Sequence, residues 1–214
     1  MDEDISIIDS NTRNEKVKNF FISNKKNLII VTSIMMLGLF GYFSFEEIKK
    51  RNKIKLANKF NFVVINYKDD AKQKTINELI DIINQNDVTY SPLALYFLLD
   101  NNLIENNIQT NKLFDELINE TNLEKEITNL ILYKKALFNS NFVTESDLLK
   151  ILNPIINSES IWKSHALYLL AEYFRSNNED QKAKEFFNQI LSLPNANNNI
   201  KMESQKIINR DLSE

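Results

Sequence analysis

Between Asn27 and Phe45 the chain reads NLIIVTSIMMLGLFGYFSF, without one charged residue. Lys25 and Lys26 stand before it; Glu46, Glu47, Lys49, Lys50 and Arg51 follow it. A helix of this length, rising about 1.5 Å per residue, covers roughly 28 Å, close to the hydrocarbon thickness of a bilayer. Leu, Ile, Met and Phe surround it and leave no polar stripe for water. The stretch reads as a single membrane-spanning helix over 27–45, since core helices of soluble domains rarely run so far without charge. A cleaved signal peptide fits less well. The apolar run exceeds the usual ~7–15 residues, and the chain leaves it through Tyr42, Phe43 and Phe45 instead of small residues.

The span divides the chain into a polar tail over 1–26, a stalk over 46–68 and a body over 69–214. In the tail, Ile5, Ile7, Ile8, Phe20, Phe21 and Ile22 suit short amphipathic pieces at a membrane surface, and the segment is expected to be loosely ordered. Both flanks of the span are basic, so the distribution of lysine and arginine does not orient it.

Composition narrows the chemistry. Both glycines, Gly38 and Gly41, lie inside the span. The body therefore has no glycine for a phosphate-cradling loop or for tight β-turns. With no cysteine and a single histidine, thiol catalysis and Cys/His zinc sites are excluded. A net charge of −3 argues against nucleic acid as a partner. Asparagine clusters at 101–102, 106–107, 177–178 and 197–199 fall where turns are expected, and Asn is the usual substitute for Gly in the left-handed position that ends a helix.

The apolar spacing predicts an all-α body. Ile48, Leu56, Phe60, Val63, Val64 and Tyr67 recur at helical intervals, so the spanning helix should continue as the stalk to about Lys68. Ile76, Leu79, Ile80 and Ile83 mark the next helix. Ser91-Pro92 reads as an N-cap with proline at the first helical position, opening an innermost helix, LALYFLL, that ends among Asn106 and Asn107. Thr110 is a candidate cap for Leu113, Phe114, Leu117 and Ile118. Thr121 to Glu124 has the form of a capping box for a helix with Ile127, Leu130, Ile131 and Phe138 on its face. Thr144 to Asp147 repeats the start signal, with Val143 and Leu148 placed as a hydrophobic staple; this helix should stop before Pro154. The next runs from Ser158 or Ser160 through Trp162 to Ser176, and Asn178 to Gln181 restarts a helix ending at Pro194. A last helix, about Ala196 to Asn209, would cover the end with Ile200, Ile207, Ile208 and Leu212. Antiparallel helices of this size joined by short turns suggest hairpin pairs near 92–119, 122–152 and 160–194, stacked as an α-solenoid.

In the last pair, Leu167, Leu170, Ala171, Phe174, Ala183, Phe187, Ile190 and Pro194 match the spacing of a tetratricopeptide repeat: small residues where helices cross, rings beside them. As a whole, the chain resembles the membrane-anchored tetratricopeptide-like family that includes the ancillary subunit of the bacterial SecYEG translocon. The resemblance implies a single-pass inner-membrane protein with a cytoplasmic N-terminus and a periplasmic body. Its partners would be the Sec translocon, periplasmic chaperones or exported clients. It also implies that His165, Tyr168, Glu172 and Arg175 line the concave, peptide-binding side. An ordinary exposed helix face is the simpler reading of the same four positions.

No catalytic constellation is visible. Ser164 and His165 point to different faces of their helix, and the pairs Glu46-Glu47 and Asp69-Asp70 sit at helix ends or turns. The chain is expected to be no enzyme, with no cofactor, no metal and no small-molecule substrate. The alternatives are a scaffold for envelope assembly or cell division and, further off, a membrane-bound hydrolase.

Overall fold

The computed structural model describes residues 2–212, with side chains from Arg13 onward. Among them the regular elements are helices: α1 (Asp2–Ser23), α2 (Lys25–Ile65), α3 (Lys72–Ile83), α4 (Tyr90–Asp100), α5 (Asn107–Glu120), α6 (Lys125–Asn139), α7 (Glu145–Ile156), α8 (Lys163–Ser176), α9 (Asp180–Ser192) and α10 (Asn198–Asp211), with one 3-10 turn at Asp69–Ala71. The chain forms two compact units, Met1–Lys55 and Leu56–Glu214.

In the first unit the tail is helical instead of loosely ordered. No Gly or Pro occurs before Gly38 to break it, and helical bonds from Asn24 N–H to the Phe20 carbonyl and from Leu28 N–H to that of Asn24 flank the junction. Phe20, Phe21 and Ile22 are exposed; the side chains of Ile5, Ile7 and Ile8 lie outside the described residues. The helix α2 is long and apolar enough to cross a membrane, and none of its apolar window is buried by protein. That separates it from a core helix, which would be covered.

The second unit begins at Leu56, inside the segment read as stalk. Leu56 and Val63 are buried, and Phe60 and Tyr67 pack beside them. Two apolar clusters hold the unit together. One joins the end of α2 to α3, α4, α5 and Ile131; the other joins Ala136 to α7, α8, α9 and α10. Helix α6 is the wall they share. From α3 to α10 consecutive helices pack together, and α3 also touches α5, α6 touches α8, and α8 touches α10.

Several helix boundaries differ from the sequence reading, each for a local reason. Asp87, not Ser91, caps α4: its Oδ1 accepts from the N–H groups of Thr89 (2.9 Å) and Tyr90 (2.8 Å). Ser91 is buried, and its hydroxyl donates to the Ile82 carbonyl (2.9 Å), tying α4 to α3. Pro92 follows the first i→i−4 bond, from Ser91 N–H to the Asp87 carbonyl (3.2 Å), so it lies one residue past the free N–H groups of this start. Helix α4 ends at Asp100, before Asn106, and packs chiefly on α3 instead of pairing with α5. Its burial is not complete, since Leu93 is exposed.

Asn106, not Thr110, caps α5, its side chain accepting from Ile108 and Gln109 N–H; Thr110 is buried inside the helix. The capping box at Thr121 does not form. Its hydroxyl turns to Asn86 (3.4 Å), and α6 starts at Lys125 without a side-chain cap. Ile127 is exposed, while Asn129, Ile131, Ala136 and Asn139 are buried. Pro154 lies within α7, which runs on to Ile156. The lost hydrogen bond falls in the last turn, where burial of Ile155 offsets it.

Other signals act as read. Thr144 Oγ1 accepts from Asp147 N–H (3.3 Å) at the start of α7. Asn86, Asn102 and Asn178 are the described non-glycine residues with positive φ, near +50 to +61°. At Asn102 and Asn178 the chain closes Schellman turns: Leu103 N–H reaches the Leu98 carbonyl, and Glu179 N–H that of Phe174, both at 2.9 Å. Asparagine thus does the work of the glycines this body lacks.

Candidate protein-binding face

Helix α8 opens through Ser160, whose hydroxyl accepts from Trp162 N–H (3.1 Å) and donates to Glu126 of α6 (2.8 Å). From there the sequence sorts two faces. Leu167, Leu170, Ala171 and Phe174 are buried, together with Ala183, Phe187 and Ile190 of α9, while Pro194 is exposed. His165, Tyr168, Glu172 and Arg175 follow at intervals of three and four, so they share the other face. All four are half-buried.

They do not form one cluster. His165 sits in an aromatic group with Trp162 (ring centroids 5.1 Å) and Tyr133 of α6 (5.8 Å), and Tyr133 stacks on Trp162 at 6.1 Å and 17°. Burial holds the imidazole below its ordinary pKa, with the Ile161 carbonyl working weakly against that. This carbonyl is near enough to favour a proton, but no hydrogen bond of good geometry reaches His165 Nδ1. Tyr168 meets Phe187 edge-on at 5.7 Å. Its hydroxyl is pushed up, first by burial and then by Glu172 and Glu203, with Arg175 opposing.

At the far end, Arg175 donates to Glu172 Oε2 (2.7 Å) and to Asp211 of α10 (3.2 Å). These carboxylates raise its pKa further, and Arg210 holds Asp211 low. Arg175 is therefore engaged by the chain itself, which leaves Tyr168, Glu172 and His165 as the groups with capacity to spare.

A separate contact joins α6 to α4. Lys134, next to Tyr133 on α6, holds its ammonium 4.3 Å over the ring of Tyr96 on α4. Burial pushes the Tyr96 hydroxyl up to about 12. Contacts link Tyr133, Trp162 and His165, and one face of α8 carries His165, Tyr168, Glu172 and Arg175, the last paired with Asp211. Lys134 is turned about 100° from Tyr133 on α6, so its contact with Tyr96 lies apart from this face. Sequence reasoning missed Tyr133, because it joins the face only through packing of α6 on α8. Trp162, the chain's one tryptophan, was the available signal.

Three buried side-chain polar atoms among the described residues have no hydrogen-bond partner: Tyr96 Oη, His165 Nδ1 and Glu172 Oε1. His165 Nδ1 and Glu172 Oε1 lie on this face of α8, and Tyr96 Oη lies apart from it, on α4. An unmet buried polar atom costs about 1–3 kcal/mol, so each is a standing cost to the fold. Ser164, by contrast, is satisfied, accepting from Asn197 N–H (3.2 Å). Among the described residues no group of three or more His, Asp or Glu gathers as a metal site. Compared with protein-family models, curated proteins and solved structures, the chain matches none.

Proposed function

We propose that this is a single-span membrane protein whose helical body holds other polypeptides along the face of α6 and α8 that carries Tyr133, Trp162, His165, Tyr168 and Glu172, as an ancillary component beside the Sec translocon. The observation that carries the binding reading is the half-buried row of rings on one side of α6 and α8, in which Tyr133 stacks on Trp162 and His165 and Tyr168 continue along α8. Tyr133, Trp162 and Tyr168 add ring surface of the kind enriched at protein interfaces. The contacts of α6 with α8 and of α8 with α10 support a tetratricopeptide-like row of hairpins, in which alternate helices line one side.

The membrane span supports the rest of the reading. Tethering confines the body near embedded partners and raises their effective concentration, so a weak face suffices. In the proposed topology the tail is cytoplasmic and the body periplasmic, in contact with the translocon, periplasmic chaperones or exported clients.

A photo-crosslinking residue at Tyr168, in the full chain in living cells, should capture a partner, and His165→Ala with Tyr168→Ser should abolish capture from a neighbouring position. Unchanged capture removes this face. Recovery of translocon subunits or periplasmic chaperones from detergent-solubilised membranes supports the Sec assignment; recovery of cell-division or outer-membrane assembly proteins instead supports the envelope scaffold. Protease added to spheroplasts should digest the body.

A further inference from the structure

At the end of the apolar run, α2 carries a basic recess that is separate from the binding face. Phe43, Glu46, Glu47, Lys49, Lys50 and Lys53 line a shallow depression of about 440 Å³. Arg51, one turn further along the same side of α2, donates to Glu47 (2.7 Å), so that acid is already neutralised. Among the described residues no ion pair engages Lys49, Lys50 or Lys53. Three lysines against Glu46 leave the recess with an uncompensated positive charge.

Its depth is set by the helix. Lys49 and Lys50 follow Phe45, the last residue of the apolar run, by four and five positions, roughly 6 and 7.5 Å along the axis. The polar headgroup layer extends about 5–7 Å beyond the hydrocarbon on each side. Lys53 lies one turn further out, and its flexible stem reaches back toward the same level. Phe43 sits at the hydrocarbon edge below them, where an acyl chain would pass.

We propose that this recess binds the headgroup of an anionic phospholipid, its phosphate held by Lys49, Lys50 and Lys53 and its chain against Phe43. The site rests on the membrane-spanning reading and on no feature of the helical body. A soluble phosphate would miss the contact with Phe43, so the lipid is the occupant. Each lysine near an anionic surface is worth about fivefold in affinity, and Glu46 subtracts from the sum.

The test uses the full chain in mixed micelles of phosphatidylglycerol and phosphatidylcholine, with native mass spectrometry counting retained lipids. The wild-type chain should retain phosphatidylglycerol in preference by roughly tenfold or more. Replacing Lys49, Lys50 and Lys53 with Gln should abolish the preference, Glu46→Gln should increase it, and Lys25→Gln with Lys26→Gln should leave most of it. Equal retention of both lipids by the wild type, or an undiminished preference in the triple variant, overturns the site. Extraction of the chain from membranes by alkaline carbonate would instead overturn the membrane-spanning reading itself, an outcome the lipid count cannot mimic.

Discussion

The two halves of the helical body bury their helices by different means. In the C-terminal half, Ala166, Ala171 and Ala183 are fully buried where α8 and α9 meet, and Phe174 stacks on Phe186 at 5.4 Å and 3°. Small residues let the two backbones approach, and the rings fill the space on either side. The N-terminal half relies on Leu79, Ile82, Ile83, Leu95, Leu98 and Leu117, with Ala94 as its one buried alanine. Long aliphatic side chains accept many packings and leave little trace of which helix they face. A repeat-like pattern is therefore visible in one half only, although both are helical and both have dry cores. The contacts agree: α3 reaches α5, whereas α6, α8 and α10 form the other series, so the alternation slips between α5 and α6.

The largest effect should come from deleting a core ring. Phe187→Ala should cost about 3–5 kcal/mol, and amide exchange of the full chain in detergent should rise across α8 to α10 while α3 to α5 stay protected. Leu98→Ala should do the reverse. If either variant deprotects both halves, the two clusters unfold as one unit and the contrast drawn here is only one of composition.

Next is the joint between the halves. Asn111 of α5 and Asn139 of α6 exchange two amide hydrogen bonds, at 2.9 and 2.8 Å, and Asn139 is nearly inaccessible. Asn139→Ala should cost about 1–3 kcal/mol by stranding its partner, and adding Asn111→Ala should recover part of that loss. Strictly additive losses would mean that the pair does not couple the halves.

A smaller effect belongs to the turns. Asn178→Val places a β-branched residue in left-handed backbone and should cost about 1–2 kcal/mol, while Asn178→Gly should be neutral or slightly stabilising; Asn102 should behave alike. Equal losses for Val and Gly would show that the Asn side chain, not its backbone tolerance, holds the turn.

The smallest is a pH dependence confined to the C-terminal half. Burial lowers the pKa of His165 in the folded chain, whereas the unfolded residue titrates near its ordinary 6.5. Between these two values the unfolded chain binds more protons, so stability rises with pH. The stability linked to the neutral ring is fully present above about 6.5 and is lost as pH falls through the lower folded value. Unfolding transitions measured on both sides of 6.5 should show this slope, and His165→Phe should remove it.

Much of the fold was legible because it is local. Spacing of three and four marks a helix wherever it occurs, and Asn178 takes left-handed backbone for reasons contained in one residue. The signals that misled were also local, but they lost to packing against other helices. Ser91 left its cap to bond Ile82 on α3, Thr121 turned to Asn86, and Pro154 stayed helical because Ile155 is buried. For the candidate face, sequence spacing grouped His165, Tyr168, Glu172 and Arg175 on one side of a helix. It had no means of seeing that Asp211 engages Arg175 or that Tyr133 flanks His165.

By itself, then, the sequence determined an uncharged helix long enough for a bilayer, a glycine-free helical body and the residues that face inward at its C-terminal end. Periodicity and transfer free energy are properties of consecutive residues, so one dimension suffices to read them. Only the tertiary structure decided which helices share a core, which next-but-one helices touch, and which rings flank His165. Those depend on contacts between residues thirty or more positions apart, such as Ser160 with Glu126 and Arg175 with Asp211, and no local pattern encodes them.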